Sequence, residues 1–234
     1  MIGKLEGQDS VLRKYGLGEH DPRFRYEVER IDSESLNVVR KKLLPIEGRY
    51  TDRYFEQVFL LFPKELRPKA RRTYHAYDAI NNLFNLGYDQ LFWRCYRALS
   101  KAHLETHLGF LHAVKYHRPS LVCDFEELYR YLIDDFLIGY SQDLKPKDFR
   151  AKTETYHGKK GKRIYLKESK NREMTRKLND FFRTKVSIPR KRHGDRQEIR
   201  SLINEEACLL AKCLRSRKEG SWTPRIVELG NENV

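Results

Sequence analysis

The sequence of 234 residues is long enough for one substantial domain, and its 39% apolar content, with 14 Tyr and 12 Phe, is sufficient for a packed core. A formal charge of +14, from 47 Lys and Arg against 33 Asp and Glu, exceeds what solubility needs and favours a polyanionic partner, with nucleic acid ahead of an acidic membrane. There is no signal-peptide pattern, no run of 18 apolar residues and no metal-ligand cysteine spacing, so we expect a cytoplasmic protein, not bound to a membrane, with four reduced cysteines: Cys95, Cys123, Cys208 and Cys213.

The first half of the chain contains three predicted helices. A serine-capped segment at Ser33–Leu44 and a segment at Thr51–Phe62 that ends before a proline predict two short helices, with Glu47 at the join between them. The most strongly periodic segment runs from about Ala76 to Leu104. Its apolar residues recur at steps of three and four and predict a central helix with one buried stripe: Ile80, Leu83, Phe84, Tyr88, Leu91, Phe92, Cys95, Tyr96 and Leu99.

The second half continues with helices around one irregular segment. Apolar residues on one face predict a single helix over Asp124–Tyr140, whereas the basic segment Tyr156–Leu166 is typical of a small hairpin or an ordered loop. Two further helices are predicted near Asn171–Val186 and Arg196–Leu214, separated by the basic linker Pro189–Gly194. The predicted fold class is therefore all-α, a mainly helical domain with one small basic hairpin or loop.

One loop carries the residues that indicate chemistry. His112 closes an apolar segment, Asp124 opens the next predicted helix, and Glu47 is a third acidic candidate upstream. One imidazole and two carboxylates suit manganese or magnesium, with positions left for phosphate oxygens and water, so the trio suggests metal-dependent phosphodiester chemistry. Each residue also has a structural explanation: Asp124 with Glu127 as a capping pair, His112 as a hydrogen-bonded core residue, and Glu47 as a favourable charge at a helix N-terminus.

Four motifs in order give the chain a resemblance to a known family. They are Glu47-Gly48 followed by Tyr54-Phe55, then Asp78, Asn81, Gly87 and Tyr88, then Gly109-Phe110-Leu111-His112, and last Asp124, Glu127 and Arg130. In this pattern the chain resembles the C-terminal helical domain of the CRISPR-associated protein one family, the integrases and endonucleases of CRISPR adaptation, and of the casposases. The sequence around His103, Lys115 to Asp124 and Leu128 to Ile133 is closer to archaeal casposases than to spacer integrases.

The resemblance implies an activity and a site. It implies that Glu47, His112 and Asp124 bind manganese or magnesium and that the 3′-hydroxyl of a DNA end attacks a target phosphodiester. It also implies that the protein binds double-stranded DNA, both the donor ends and the target, and that it forms a homo-oligomer on this DNA. Four further matched positions, Asn81, Tyr88, Glu127 and Arg130, are expected to support the ligands or contact phosphate, although core packing or a surface ion pair would also explain them.

Departures from the family pattern bear on the domain prediction. Family members begin with a β-rich domain, which we expect this chain to lack, and casposases continue into a helix-turn-helix module that is also not expected here. Arg49-Tyr50-Thr51 stands where the family usually has small residues. We predict a lead-in segment at 1–32, the helical integrase or endonuclease domain at 33–226 and a tail at 227–234.

The basic tracts supply candidate DNA contacts, although a basic run is often only a solvated surface. These candidates are Lys159, Lys160, Lys162, Arg163, Arg190, Lys191 and Arg192. A casposase-like transposase is the preferred function. A CRISPR spacer-acquisition integrase, a structure-specific nuclease and a non-catalytic DNA-binding module stay open as alternatives.

Overall fold

The computed structural model describes residues 1–32, 35–156, 158–187, 196–216 and 222–229. These residues form a helix-dominated fold with two small antiparallel sheets. In chain order the elements are α1 (Ile2–Lys14), α2 (Arg23–Glu29), α3 (Leu36–Val58), α4 (Ala79–Lys101), α5 (Ser120–Glu126), α6 (Arg130–Ser141), β1 (Phe149–Tyr156), β2 (Lys159–Leu166), α7 (Glu168–Phe181), β3 (Lys185–Ser187), β4 (Arg196–Glu198) and α8 (Ile199–Ser216).

The central helix α4 organises the core, as its apolar period predicts. It begins at the N-cap Asp78, whose Oδ1 accepts a hydrogen bond from the Asn81 amide at 2.8 Å. It packs against α5, α6, α8 and β2. The predicted stripe is confirmed, since seven of its members are buried and Phe92 and Tyr96 are half-buried: Ile80, Leu83, Phe84, Tyr88, Leu91, Cys95 and Leu99.

The all-α prediction is wrong because the described residues include two antiparallel sheets. Strands β1 and β2 pair from Phe149 opposite Leu166 to Tyr156 opposite Lys159, and β3 pairs with β4 over three residues. The first pair lies in the basic region expected to form a hairpin or loop. Its strands are rich in charge, and β3 and β4 are very short, so neither sheet produces the apolar alternation that signals a strand. Val186, predicted to be helical, lies in β3.

The join predicted at Glu47 does not exist, because α3 is one helix that contains Pro45. A proline inside a helix removes one backbone hydrogen bond and usually breaks the helix. Here the buried face continues across the proline at helical spacing, through Leu43, Tyr50, Tyr54 and Val58. Packing of that face therefore outweighs the local cost of Pro45, and Glu47 lies in the middle of a continuous helix.

The single helix predicted over Asp124–Tyr140 is also wrong, since it is divided into α5 and α6. The amides of Leu128 and Tyr129 donate to the carbonyls three residues earlier, at 3.3 and 2.9 Å, which makes a tight turn between the two helices. Buried apolar residues occur on both sides of this turn and within it. The apolar residues therefore keep their helical spacing across the turn, and the sequence pattern does not reveal the boundary between α5 and α6.

The first and last described segments pack together on the helical core. Residues 1–32 form α1 and α2, and Leu5, Val11 and Leu12 of α1 are fully buried. Residues 222–229 lie against α1, α6 and α8, where the Val227 amide donates to the Tyr131 hydroxyl at 2.8 Å. Among the described residues, no helix is both long enough and apolar enough to cross a membrane.

Candidate active site

His112 and Asp124 form the geometric centre of the candidate site. Nδ1–H of His112 donates to Oδ1 of Asp124 at 2.7 Å, and the His112 backbone amide donates to the same oxygen at 2.8 Å. The amides of Phe110 and Leu111 donate to the other oxygen, Oδ2. Asp124 lies inside α5 and not at its N-cap, so the capping explanation does not describe it; instead its carboxylate organises the loop that carries His112.

The Gly-Phe-Leu-His motif can wrap around Asp124 because residue 109 is a glycine. A Cβ at Gly109 would lie 2.7 Å from the backbone carbon of Ser120 and 2.8 Å from Oδ2 of Asp124, closer than side-chain contacts allow. Arg40 of α3 holds the same loop from the other side, since its guanidinium donates to the carbonyls of Phe110 at 2.6 Å and Gly109 at 3.0 Å. The loop with His112 is therefore fixed to both α5 and α3.

Glu47 on α3 faces a buried lysine of α1. The Lys4 ammonium forms an ion pair with Glu47 and a second one with Glu127 at 2.8 Å. Burial lowers the pKa of Lys4, but the carboxylates of Glu127 and Glu47 outweigh it and raise that pKa above its ordinary value. Lys4 is therefore a charged link between a predicted metal ligand and the turn that follows α5.

The chain of charges continues from Glu127 through Arg130, which contacts both Glu127 and Glu126. Burial raises the pKa of Glu127, but Arg130 and Lys4 outweigh it and hold that pKa well below its usual range. Burial raises the pKa of Glu126 to about 7. Glu127 is buried, Arg130 keeps 30% of its side-chain surface exposed, and Glu127 is connected to Glu47 through Lys4, so the pair is more than the surface ion pair that the sequence left open.

Electrostatic contacts connect the two halves of the site. Lys4 joins Glu47 to Glu127, and Glu127 follows Asp124 by three residues. Burial and then Lys4 lower the pKa of the Met1 amino group, whereas Glu47, Glu127 and Asp124 raise it. His112 in turn lowers the pKa of Glu127. The structure thus brings His112 and Asp124 into direct contact and connects Glu47 to Glu127 through Lys4, but within the described ranges no three His, Cys, Asp or Glu side chains form a ready-made metal cage.

The donor set nevertheless fits a divalent metal. A His112 ring that donates Nδ1–H to a carboxylate keeps the lone pair of Nε2 available, the usual arrangement of a metal-binding histidine. Glu47 and His112 keep about a quarter of their side-chain surface exposed, 25% and 28%. All four hydrogen-bonding positions of the Asp124 carboxylate are used by the loop, so coordination by Asp124 would have to replace one of these bonds.

Behind Glu47 lies a polar cavity of about 200 Å³. Tyr54 and Tyr88 donate their hydroxyls to the two oxygens of Asp134 in its wall, at 2.8 and 2.5 Å, and burial raises the pKa of Asp134 to about 6. Arg130 packs over the Tyr88 ring with its guanidinium carbon 4.8 Å from the centroid. The lining residues are Lys4, Gln8, Glu47, Thr51, Phe55, Arg71, Thr73, Tyr88, Glu127, Arg130, Tyr131 and Asp134.

The structure places Asn81 in an internal network. Its Oδ1 accepts from the Arg72 amide at 2.8 Å and from Arg71, and its Nδ2 donates to the Ala70 carbonyl and to Asp78. All four hydrogen bonds of the amide are made inside the protein. In this conformation Asn81 orders the segment before α4 and has no donor left for a phosphate.

The predicted DNA contacts are only partly described. Lys160 and Lys162 of β2 are exposed, whereas Arg163 turns inward and donates to the Ala76 carbonyl and to Asn82 at 3.2 and 3.1 Å. The side chain of Lys159 lies outside the described residues, as do Arg190, Lys191 and Arg192 in full.

Sequence reasoning missed Lys4, Arg40 and Glu126. Lys4 and Arg40 reach their partners across 43 and 70 residues of sequence, and no local spacing reports such contacts. Arg40 did carry one signal, because a separation of seven residues places it on the same face of a helix as Glu47. That signal requires α3 to be continuous, whereas the sequence predicted two helices that join at Glu47.

Comparison with known protein families gives a match over most of the chain. The family described as "CRISPR associated protein Cas1" matches residues 1–179. Among curated proteins, a CRISPR-associated endonuclease Cas1 of Archaeoglobus fulgidus is 34% identical over 132 residues, 52% of this chain and 38% of that protein. One from Thermus thermophilus is 32% identical over 140 residues, 59% of this chain and 40% of that protein. This chain thus spans about two fifths of the length of these two relatives.

Solved structures share the fold. A casposase bound to integration product superimposes with a TM-score of 0.80 at 24% identity, covering 99% of this chain and 63% of that chain. A Cas1 protein from Thermotoga maritima gives a TM-score of 0.73 at 18% identity, covering 92% of this chain and 65% of that chain.

Proposed function

The chain belongs to the Cas1 family, and from this membership together with the site geometry we propose that it is the catalytic domain of a metal-dependent DNA integrase and endonuclease. The observation that carries the proposal is the His112–Asp124 pair, which backbone amides of the Gly-Phe-Leu-His motif hold in place. Lys4 connects Glu47 to this part of the molecule through Glu127, three residues after Asp124. The curated relatives are named as CRISPR-associated endonucleases, which supports phosphodiester chemistry at this site.

In the proposed site, Glu47, His112 and Asp124 would hold a manganese or magnesium ion. A divalent ion at this place supplies charge stabilisation for a phosphate and favours the nucleophilic form of a hydroxyl. Asp124 binds Nδ1 of His112, which leaves Nε2 for the ion, and Lys4 and Arg130 hold Glu47 and Glu127 in position. The 3′-hydroxyl of one DNA end then forms a bond to phosphorus of the target strand while the bond to the leaving 3′-oxygen breaks.

The casposase-like form of this activity, joining a mobile-element end to target DNA, is the version that we favour. It is supported by the similarity of the fold to a casposase bound to integration product. A spacer-acquisition integrase is the second candidate, because the curated relatives are CRISPR-associated proteins and solved neighbours include a Cas6-RT-Cas1–Cas2 complex. Both candidates use the same residues on double-stranded DNA and are expected to act as homo-oligomers that hold two ends.

The test is a strand-transfer assay with manganese, a labelled duplex and supercoiled plasmid. We expect label to join the plasmid with the wild-type chain and a free 3′-hydroxyl, and not with a 3′-blocked duplex. His112→Ala should reduce joining by about 10³-fold or more without loss of folding, because it removes a group required at the reacting phosphate. Thermal unfolding of the same variant provides the folding control.

The products separate the alternatives. Metal-dependent nicking without joining would favour a structure-specific nuclease. DNA binding without either product, unchanged in His112→Ala, would contradict catalysis and leave a DNA-binding module. Joining that requires a casposon-type end, and not any 3′-hydroxyl duplex, would favour the casposase form over the spacer integrase.

A further inference from the structure

A basic groove lies between α4 and α8, outside the candidate active site. Two adjoining cavities, of about 340 and 550 Å³, share Lys101 as a lining residue and follow the C-terminal half of α4 and the outer face of α8. We call this surface the α4–α8 groove and define it by its six cationic side chains: Arg94, Arg97, Lys101, Arg200, Lys212 and Arg215.

The charge of the groove is largely uncompensated. Neither cavity is lined by an Asp or Glu among the described residues, and residues 91–101 of α4 contain no acid. In the part of the chain that the structure describes, no carboxylate forms an ion pair with Arg97, Lys101 or Lys212; Arg200 pairs with Glu198. The acids of α8, Glu205 and Glu206, face another element and pair with Arg225.

The cations also act on one another. Burial lowers the pKa of Arg94, and the neighbouring guanidinium groups of Arg97, Arg200 and Arg183 lower it further. Like charges held this close are unfavourable in the free protein. They are favourable once a polyanion is bound, because the phosphates neutralise several of them together.

The dimensions and lining fit a nucleic acid backbone. With the rise of an α-helix, Arg200 and Arg215 are about 22 Å apart along α8 and Arg94 and Lys101 about 10 Å apart along α4. A stretch of about 22 Å of duplex DNA carries about 13 phosphate charges. Ser201, Asn204 and Ser216 add neutral donors of the kind that contact phosphates, and the lining has no Phe, Tyr, Trp or Leu of the kind that anchors a protein partner.

The groove ends where the segment that carries His112 begins. It ends at Lys101, Ala102 and His103, and the segment that begins there carries His112 nine residues later. Arg215 at the end of α8 donates to the Ala102 carbonyl at 3.0 Å and so fixes the two walls together at this point.

From these observations we propose that the α4–α8 groove binds the phosphate backbone of double-stranded DNA. The six groove cations are different residues from the DNA-contact candidates predicted from the sequence. The proposal depends on the proposed function only for the biological purpose of the groove, since DNA binding can be measured without catalysis. The groove gives the protein a second DNA-binding surface, as joining two duplexes requires.

The test compares a triple groove variant, Arg97→Gln with Lys101→Gln and Lys212→Gln, with a control triple. The control removes three exposed cations that line neither cavity, Arg30→Gln, Lys64→Gln and Lys147→Gln, and so changes the net charge equally. The probe is a labelled duplex of about three helical turns, and affinity is measured from about 50 to 200 mM salt. Thermal unfolding confirms that both variants are folded.

We expect the groove variant to bind at least tenfold more weakly and its log–log salt slope to be flatter by about 2.7, or 0.9 for each lost phosphate contact, while the control triple keeps the wild-type slope. Equal slopes for the two triples would overturn the proposal, and an acidic protein would then be the better partner for the groove. The strand-transfer assay keeps the two proposals apart. If the protein joins DNA but the two triple variants have equal salt slopes, only the groove proposal is rejected. If the groove variant has a flatter salt slope but the wild-type protein neither nicks nor joins DNA, only the catalytic function is rejected.

Discussion

Lys4 compensates the negative charge of two carboxylates at the candidate site. Its ammonium is the positive charge between Glu47 and Glu127, and all three side chains are largely removed from water. A buried ion pair that loses one partner leaves an uncompensated charge, a more costly state than either the intact pair or a metal-bound carboxylate. Lys4 therefore holds the acidic site together when no other cation is bound.

Lys4→Met should lower the free energy of unfolding by about 3–5 kcal/mol in the presence of a chelator. Manganese should then raise the melting temperature of Lys4→Met more than that of the wild type, because the ion restores the missing positive charge beside Glu47. Thermal unfolding with and without manganese measures both effects. Lys14→Met is the matched control, since Lys14 pairs with Asp135 at the other end of α1; an equal manganese response in the two variants would contradict this role of Lys4.

The buried carboxyl group of Asp134 should make the free energy of unfolding depend on pH. Burial raises its pKa to about 6 in the folded protein from an ordinary 3.8, although the Tyr88 and Tyr54 hydroxyls oppose the shift. Because the folded state holds this proton more tightly than the unfolded state, the stability that the proton contributes is fully present below pH 3.8. It is lost as the pH rises through 6, by roughly 3 kcal/mol.

Asp134→Asn, which has no such proton, should flatten the fall in unfolding free energy between about pH 4 and pH 6.5. Urea unfolding over this range compares the variant with the wild type. Parallel curves for the two proteins would show that another buried acid, such as Glu126, causes the pH dependence.

At the scale of elements, α4 and α6 approach each other closely at one glycine. A Cβ at Gly87 would lie 2.7 Å from Cγ2 of Ile133, and both helices belong to the core under the candidate site. Gly139 of α6 provides the opposite case, since a Cβ there would meet no atom within 4 Å. Substitutions at these two glycines therefore distinguish the effect of close helix packing from the effect of helix propensity.

Gly87→Ala should destabilise the protein by about 1–3 kcal/mol, because the added methyl group pushes α6 away from α4. Gly139→Ala should instead stabilise it by about 0.5–1 kcal/mol through better helix propensity. Chemical denaturation of both variants checks the pair. If Gly87→Ala were as stable as Gly139→Ala, the close packing of α4 on α6 would be wrong.

Across the whole molecule, the sequence predicted the elements whose signal is local. The stripe of α4 was predictable because one buried face repeats every three or four residues. The break after Glu126 was not, since the apolar period continues through it, and the continuity of α3 across Pro45 depends on packing that only the folded chain supplies. The sequence placed His112 and Asp124 at opposite ends of one loop but did not predict the hydrogen bond between them, and Lys4 and Arg40 join the site by contacts between distant parts of the sequence.

The packing of residues 222–229 also has a consequence for how this chain folds. The Leu229 amide donates to the Ser10 hydroxyl at 2.7 Å across 219 residues, and a Cβ at Gly3, the neighbour of Lys4, would lie 3.3 Å from Pro224. Contacts between such distant positions require a large loop to close before they contribute, so they form late and slow the search for the native topology. We therefore expect the α1 face that presents Lys4 to Glu47 to be completed late in folding, when residues 222–229 pack against α1.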